Sequence, residues 1–370
     1  MEIGVLTSSR ADFGIYYPLV KELTSDDFFN VEIIAFGTHL KEQYGFTIKE
    51  ITNLGFDVNH KIETSVNNEK ASDIAQNVGD TIQKFSKFWD TQRFDLVIAL
   101  GDRYEMFGAV AAASPFNIDI AHIHAGETTL GAIDNAYRHS ISLFSKYLFV
   151  TTEEYKRRAS EIISCNKNIF NVGALSIDNL MRTELMSVDE FKEHFNIDIS
   201  KPYILSTFHP ETISFEKNKE YILELISAFE EIREETDIII TMPNSDTMGN
   251  MIRRIISEFA QKYRNIHLVE SFGMKGYLTC MEHTDILIGN TSSGFVEAAF
   301  FPKKVINLGD RQKGRILTDN IYNCEIVKEK ILKSYNIAKN AEIPQNVNIY
   351  GDGNAAKNIV SIIKSLYEHR

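Results

Sequence analysis

The chain has 370 residues, with 39 Lys plus Arg against 51 Asp plus Glu for a formal charge of −12, and only three cysteines. At about 150 residues per domain, this length predicts two domains or one large one, each able to bury a core without disulfides. The acidic balance argues against a generic nucleic-acid or anionic-membrane partner, and Cys165, Cys280 and Cys324, far apart and odd in number, exclude a disulfide framework or thiolate zinc site and suit a reducing, cytoplasmic compartment.

Short β-branched runs recur between longer helical patterns: residues 3–7, 31–36, 95–100, 118–123, 147–151 and 169–172, then 203–208, 237–242, 266–269, 286–289 and 305–308. Such alternation predicts βαβ units and parallel sheets. No run approaches the ~18–20 apolar residues of a membrane span, and the first strand starts at Met1 without a basic or apolar leader, so neither anchor nor export is expected. A polar, charged stretch near 175–202 separates the strands into two sets, predicting an N-terminal domain over 1–174 and a C-terminal domain over 175–354, both doubly wound. In open parallel sheets ligands bind beyond the carboxyl ends of the strands.

The first such loop, Thr7-Ser8-Ser9-Arg10-Ala11-Asp12-Phe13-Gly14, precedes a helix predicted over 16–23. Its hydroxyls and arginine make either an anion seat or a plain helix cap. Two neighbouring strand ends then carry Gly101-Asp102-Arg103 and His122-Ile123-His124-Ala125-Gly126-Glu127. Asp134-Asn135-Ala136-Tyr137-Arg138-His139 reads as a helix start whose i, i+4 spacing aligns Asp134 with Arg138. Carboxylates crowded into one pocket raise one another's pKa, which suits acid–base work.

In the second set, Ser206-Thr207-Phe208-His209-Pro210-Glu211 follows the first strand and Met242-Pro243-Asn244-Ser245-Asp246 the next. Gly289-Asn290-Thr291-Ser292-Ser293-Gly294-Phe295-Val296-Glu297 follows a later one; small hydroxylated residues opening a helix favour a pyrophosphate seat over a simple N-cap, with Glu297 placed to bind ribose hydroxyls. Arg311 and Arg315 after the last strand are cationic donors or solvent-facing.

Three tempting motifs fail. Gly309–Gly314 has Walker-like glycine spacing, but Arg315 and Ile316 replace the Lys and Ser/Thr of a P-loop. Gly351-Asp352-Gly353 mimics a dinucleotide fingerprint with too little chain after it for another βαβ unit. His122 and His124 bind one metal only if the strand has already ended, since alternate strand residues face opposite ways.

Taken in order, SRADFG (9–14), GDR (101–103), HIHAGE (122–127), IDNAYRHSISLFSKYLF (133–149), HP (209–210), PNSD (243–246), IGNTSSGFVE (288–297), INLGDRQKGR (306–315) and YGDGNAA (350–356) resemble the hydrolysing UDP-N-acetylglucosamine 2-epimerases of sialic and legionaminic acid biosynthesis. The resemblance implies a glycosyltransferase-B-like fold of two Rossmann-like domains with a central cleft, the C-terminal helix 355–370 packed back on the first, no cofactor, no metal, and a homodimer or homotetramer. It implies that Thr291, Ser292 and Gly294 hold the diphosphate, Glu297 the ribose and Arg311 the phosphate, with Phe272 and Tyr277 around the base and Asn244 and Arg315 also binding substrate. Arg10, Ala11, Arg103 and Arg138 would serve from the first domain, and Asp102, His124, Glu127, Asp134 and His209 would flank the sugar. Relatives carry a glutamate where this chain has His124. The implied reaction releases UDP and a free N-acetylmannosamine-type sugar: a carboxylate, Asp102 or Glu127, takes the C2 proton, and Asp134 or His209 reprotonates C2 from the other face. The substrate is UDP-N-acetylglucosamine or its 2,4-diacetamido-6-deoxy analogue. A glycosyltransferase of the same fold, a metal-dependent hydrolase and a non-catalytic nucleotide-sugar sensor are the rivals.

Overall fold

The computed structural model describes residues 1–67, 70–211, 215–243 and 249–368. Among them, one unit comprises Met1–Glu127, Asp134–Met181 and the stretch from Tyr350; the other comprises Thr128–Ile133 and Arg182–Ile349.

The first unit contains β1 (Glu2–Thr7), β2 (Asn30–Phe36), β3 (His60–Ile62), β4 (Leu96–Leu100), β5 (Ile120–Ile123), β6 (Tyr147–Val150) and β7 (Ile169–Asn171). Its sheet runs β3-β2-β1-β4-β5-β6-β7, every pairing parallel. A parallel sheet is covered on both faces, and β4, LVIAL, is accordingly buried at every residue. Leu19 and Leu23 of helix Arg10–Thr24 pack with Ile359 and Ile363 of helix Ala355–Tyr367 on one side, while Phe85, Trp89 and Met106 fill the other.

The second unit contains β8 (Tyr203–Thr207), β9 (Asp237–Thr241), β10 (Ile266–Val269), β11 (Ile286–Gly289), β12 (Lys304–Leu308) and β13 (Ile321–Cys324), in the order β10-β9-β8-β11-β12-β13, again parallel. In both sheets the winding direction reverses beside the first strand, between β1 and β4 and between β8 and β11. Such a switch point leaves a crevice outside the strand ends where ligands bind.

The division at 174/175 expected from the sequence needs correction. Helix Leu175–Arg182 lies almost wholly in the first unit, and its side chains explain why. Pro18 interrupts helix Arg10–Thr24 and has no N–H for the carbonyl of Gly14; the Asn179 side-chain amide donates to that oxygen at 2.7 Å. Asp178, fully buried, accepts from the backbone N–H groups of Ala355 and Ala356 at 2.9 Å each, capping the C-terminal helix. Lys364 adds an ion pair to Asp26. Six residues between Glu127 and Asp134 group with the second unit instead: the Leu130 N–H donates to the Lys313 carbonyl at 2.8 Å.

Candidate functional site

In the first unit, polar side chains gather where β4 and β5 end. Arg138, from helix Asp134–Phe144, is 4% exposed and organises them. One terminal nitrogen binds Asp102; the other donates to the His124 carbonyl at 2.9 Å and lies 3.8 Å from Glu127 Oε2. Helical spacing aligns Arg138 with Asp134, but its ion pairs go to Asp102 and Glu127, which follow the ends of β4 and β5. Arg103 is gripped by the fully buried Glu105 carboxylate at 2.9 and 3.2 Å.

His124 and Glu127 form a pair of their own, with His124 Nδ1 2.8 Å from Glu127 Oε1. The turn between them depends on Gly126, at φ 74: a Cβ there would stand 2.2 Å from the Tyr155 carbonyl oxygen. Thr151 also donates to Glu127 Oε1, at 3.4 Å.

His122, two residues earlier, faces the interior. Its Nε2 meets the Gly101 carbonyl at 2.8 Å and its Nδ1 meets Ser142 Oγ at 2.9 Å. A carbonyl only accepts, so Nε2 carries the proton and Nδ1 accepts from the serine. Burial pushes this imidazole down to about 3, and burial pushes His39, held between Thr7 and Thr47, down to about 4. Both rings are fully buried. Below the ordinary histidine pKa of 6.5 the unfolded chain takes up protons that these rings refuse, so their contribution is complete above pH 6.5 and is lost as pH falls. At about 1.4 kcal/mol per pH unit for each, urea unfolding at about pH 5 should show roughly 4 kcal/mol less stability than at about pH 7 from these two groups. His122→Gln should remove about half of that dependence.

The first loop is a helix cap, one of its two expected readings, with the helix boundary shifted. Its helix starts at Arg10 rather than near residue 16, because Ser9 caps it and Asp12 accepts from Ser8 N, Ser8 Oγ and Ser9 Oγ at 2.9, 2.6 and 2.9 Å. Asp12 is thus a capping residue, which leaves Arg10 and Ala11 exposed in the first turn, Arg10 3.8 Å from Glu50.

In the second unit, the loops after β8, β11 and β12 are stitched together. Asn290, fully buried, accepts from His209 N at 2.7 Å and returns its own amide to the His209 carbonyl at 2.8 Å. Gln312 donates to the Asn290 carbonyl at 2.9 Å and accepts from Arg315 Nε at 2.6 Å. Glu211 accepts from Asp310 N at 2.8 Å. Arg315 is therefore buried, with its guanidinium 5.9 Å from the Phe295 ring centre, and does not face solvent.

The segment expected to open a helix is broken in two: a 3₁₀ turn at Ser292–Gly294 and a four-residue helix at Glu297–Phe300. A dipole this short is weak; what remains for an anion is the turn's first N–H groups, which no intrahelical acceptor satisfies, and hydroxyls. Tyr277 OH and Thr291 Oγ1 lie 2.7 and 3.1 Å from Ser293 Oγ. Burial, with the nearby Glu297 charge, pushes the Tyr277 phenol up to about 12 and keeps it protonated. Phe272 is buried against Phe191 and Phe195, ring centres 5.2 and 4.8 Å away. Asn244 lies outside the described residues.

Residues 21–364 match the family model described as UDP-N-acetylglucosamine 2-epimerase. The chain belongs to the UDP-N-acetylglucosamine 2-epimerase family. Within that family it is 32% identical over 373 residues to the polysialic acid biosynthesis protein P7 of Escherichia coli, covering 100% of this chain and 95% of that one. It is 31% identical over 368 residues to a hydrolysing UDP-N,N'-diacetylbacillosamine 2-epimerase of Legionella pneumophila, covering 100% and 97%. The structure of the Neisseria meningitidis UDP-GlcNAc 2-epimerase bound to UDP-GlcNAc aligns with a TM-score of 0.83 at 18% identity over 99% of this chain and 100% of that one. The Methanocaldococcus jannaschii UDP-GlcNAc 2-epimerase, in complex with UDP-GlcNAc and UDP, aligns with 0.84 at 20% over the same shares. At such identities the likeness is one of fold, the glycosyltransferase-B-like pairing of two parallel-sheet α/β domains.

For this 2-epimerase family member, Asp102, His124, Glu127 and Arg138 meet around one turn, and Asp134 opens the helix that carries Arg138. Three polar residues of the same cluster escaped sequence reasoning: Glu105, Ser142 and Thr151. Glu105 had a signal, as the one charged residue in the apolar helix Tyr104–Ala113. In the second unit Asn290 and Gln312 stand within motifs, yet nothing in their spacing marks them as the links between loops.

Proposed function

We propose that this chain is a hydrolysing UDP-sugar 2-epimerase that converts UDP-N-acetylglucosamine, or a close UDP-sugar, to UDP and a free N-acetylmannosamine-type sugar for sialic-type acid biosynthesis. The second unit would hold the nucleotide: Thr291, Ser292 and Gly294 at the diphosphate, Glu297 at the ribose, Arg311 and Arg315 near phosphate, Phe272 and Tyr277 by the base. From the first unit Arg10, Ala11 and Arg103 would reach the diphosphate. Loss of the C2 proton with departure of UDP from C1 gives a 2-acetamidoglucal; water then adds at C1 as C2 regains a proton on its other face. Donors aimed at the leaving diphosphate stabilise charge as it develops.

The observation that carries this reading is the meeting of partly buried Asp102 and His124 with buried Glu127 and Arg138 at the ends of β4 and β5, where an α/β sheet presents chemistry. A 2,4-diacetamido-6-deoxy substrate is the second reading, supported by relatives in Legionella pneumophila and Campylobacter jejuni named for diacetylbacillosamine. Incubation with each UDP-sugar in D₂O, followed by NMR, tests both. The expected products are UDP and a free sugar bearing deuterium at C2. An intact epimerised UDP-sugar, transfer to an acceptor, or a product without deuterium overturns the proposal.

A further inference from the structure

The following rests on the elimination reaction just proposed and deepens its proton chemistry. His124 Nε2 is buried and meets no hydrogen-bond partner among the described residues. Buried polar atoms are nearly always satisfied, so one left bare calls for a function. The other ring nitrogen is committed: Nδ1 lies 2.8 Å from Glu127 Oε1. A carboxylate can only accept, so the proton stays on Nδ1 and the neutral ring presents a lone pair at Nε2. The backbone is bent to achieve this. His124 follows the last residue of β5 at φ 65, a left-handed conformation uncommon for a residue with a Cβ, and its carbonyl is clamped by Arg138 at 2.9 Å.

The neighbouring carboxylates are differently placed. Glu127 is 2% exposed and its oxygens face His124, Thr151 and Arg138. Asp102 is ion-paired to Arg138. The charged and titratable groups around the imidazole are thus Glu127, Arg138, Asp102 beyond it, and the neutral His122.

The geometry points to His124 Nε2, rather than a carboxylate, as the base that takes the C2 proton, with Glu127 as the positioning residue that fixes its tautomer. In this step the C2–H bond breaks and its proton passes to Nε2. The freed electron pair forms the C1=C2 double bond, and the C1–O pair departs with the diphosphate oxygen of UDP. The ring becomes an imidazolium beside the Glu127 carboxylate, as in any oriented carboxylate–histidine pair.

The wild-type enzyme is first assayed with UDP-sugar in D₂O: no free sugar or no C2 deuterium there defeats the functional reading itself. Given turnover, His124→Asn and His124→Gly should bind UDP as the wild type does by calorimetry while losing about 10²–10⁴ in kcat. Glycine tolerates the left-handed backbone and leaves room, so free imidazole should restore turnover to His124→Gly. Glu127 fixes the ring without touching substrate, so Glu127→Gln should lower kcat while leaving KM and UDP affinity near wild type, and Glu127→Asp should recover part of the loss. The assignment is overturned if His124→Gly stays within about ten-fold of wild type. It is equally overturned if imidazole fails to rescue a His124→Gly protein that still binds UDP, or if Glu127→Gln weakens UDP binding as much as it lowers kcat.

Discussion

Replacing Arg138 with methionine should destabilise the protein by about 3–5 kcal/mol in urea unfolding, the range for removing one member of a buried ion pair. The side chain is 4% exposed and serves three acceptors: the carboxylates of Asp102 and Glu127 and the carbonyl of His124. Methionine fills much of the volume but takes the cation from both carboxylates and the N–H donor from the His124 carbonyl, while Glu127 keeps His124 and Thr151, so the loss is one of charge and hydrogen bonding rather than of packing. Turnover should fall by about 10²-fold or more, because positioning errors near 1 Å have that effect. Lysine restores the charge but cannot span two carboxylates and a carbonyl as a planar fork does; Arg138→Lys should recover part of the stability and little of the activity. A methionine variant within 1 kcal/mol of wild type would show the cluster to be decorative.

The parts legible in the sequence are those dictated by local chemistry. Continuous apolar runs such as β4 and β11 announce strands buried on both faces, and the loops after them could be singled out without knowing their contacts. The strands that escaped, β3 (HKI) and β13 (IYNC), lie at sheet edges and are only partly buried, so hydrophobicity does not mark them. What periodicity cannot see is competition between near and distant partners. Helical spacing offers Asp134 to Arg138, yet Asp102, 36 residues away, takes it. Nor does composition reveal that His124 occupies a left-handed conformation, since glycine or asparagine would be the usual sign. The boundary between units was misplaced for a related reason: helix Leu175–Arg182 reads as part of a polar break, and only its contacts to Gly14, Ala355 and Ala356 assign it to the first unit.

Gly126→Ala should be the most damaging single-methyl change in the first unit's site. The added carbon would sit 2.2 Å from the Tyr155 carbonyl oxygen and 3.1 Å from Ala159 Cβ. Neither can retreat easily, since Tyr155 and Ala159 are buried in helix Glu153–Ile163 and Thr152 caps that helix through Tyr155 N at 3.1 Å. The φ of 74 adds a conformational cost of its own, about 1–2 kcal/mol for a residue with a Cβ. Overpacking typically contributes a further 1–3 kcal/mol. The relief available is displacement of the turn, which carries His124 and Glu127 with it and should lower turnover by about 10²-fold. Gly55→Ala separates the two costs: Gly55 is also left-handed, at φ 89, but has nothing within 4 Å of the position its Cβ would take. That variant should lose about 1–2 kcal/mol from the backbone alone and keep its activity. Equal losses of stability and turnover in the two variants would mean that the Tyr155 carbonyl does not constrain the turn and that the placement of Glu127 against His124 is looser than the geometry indicates.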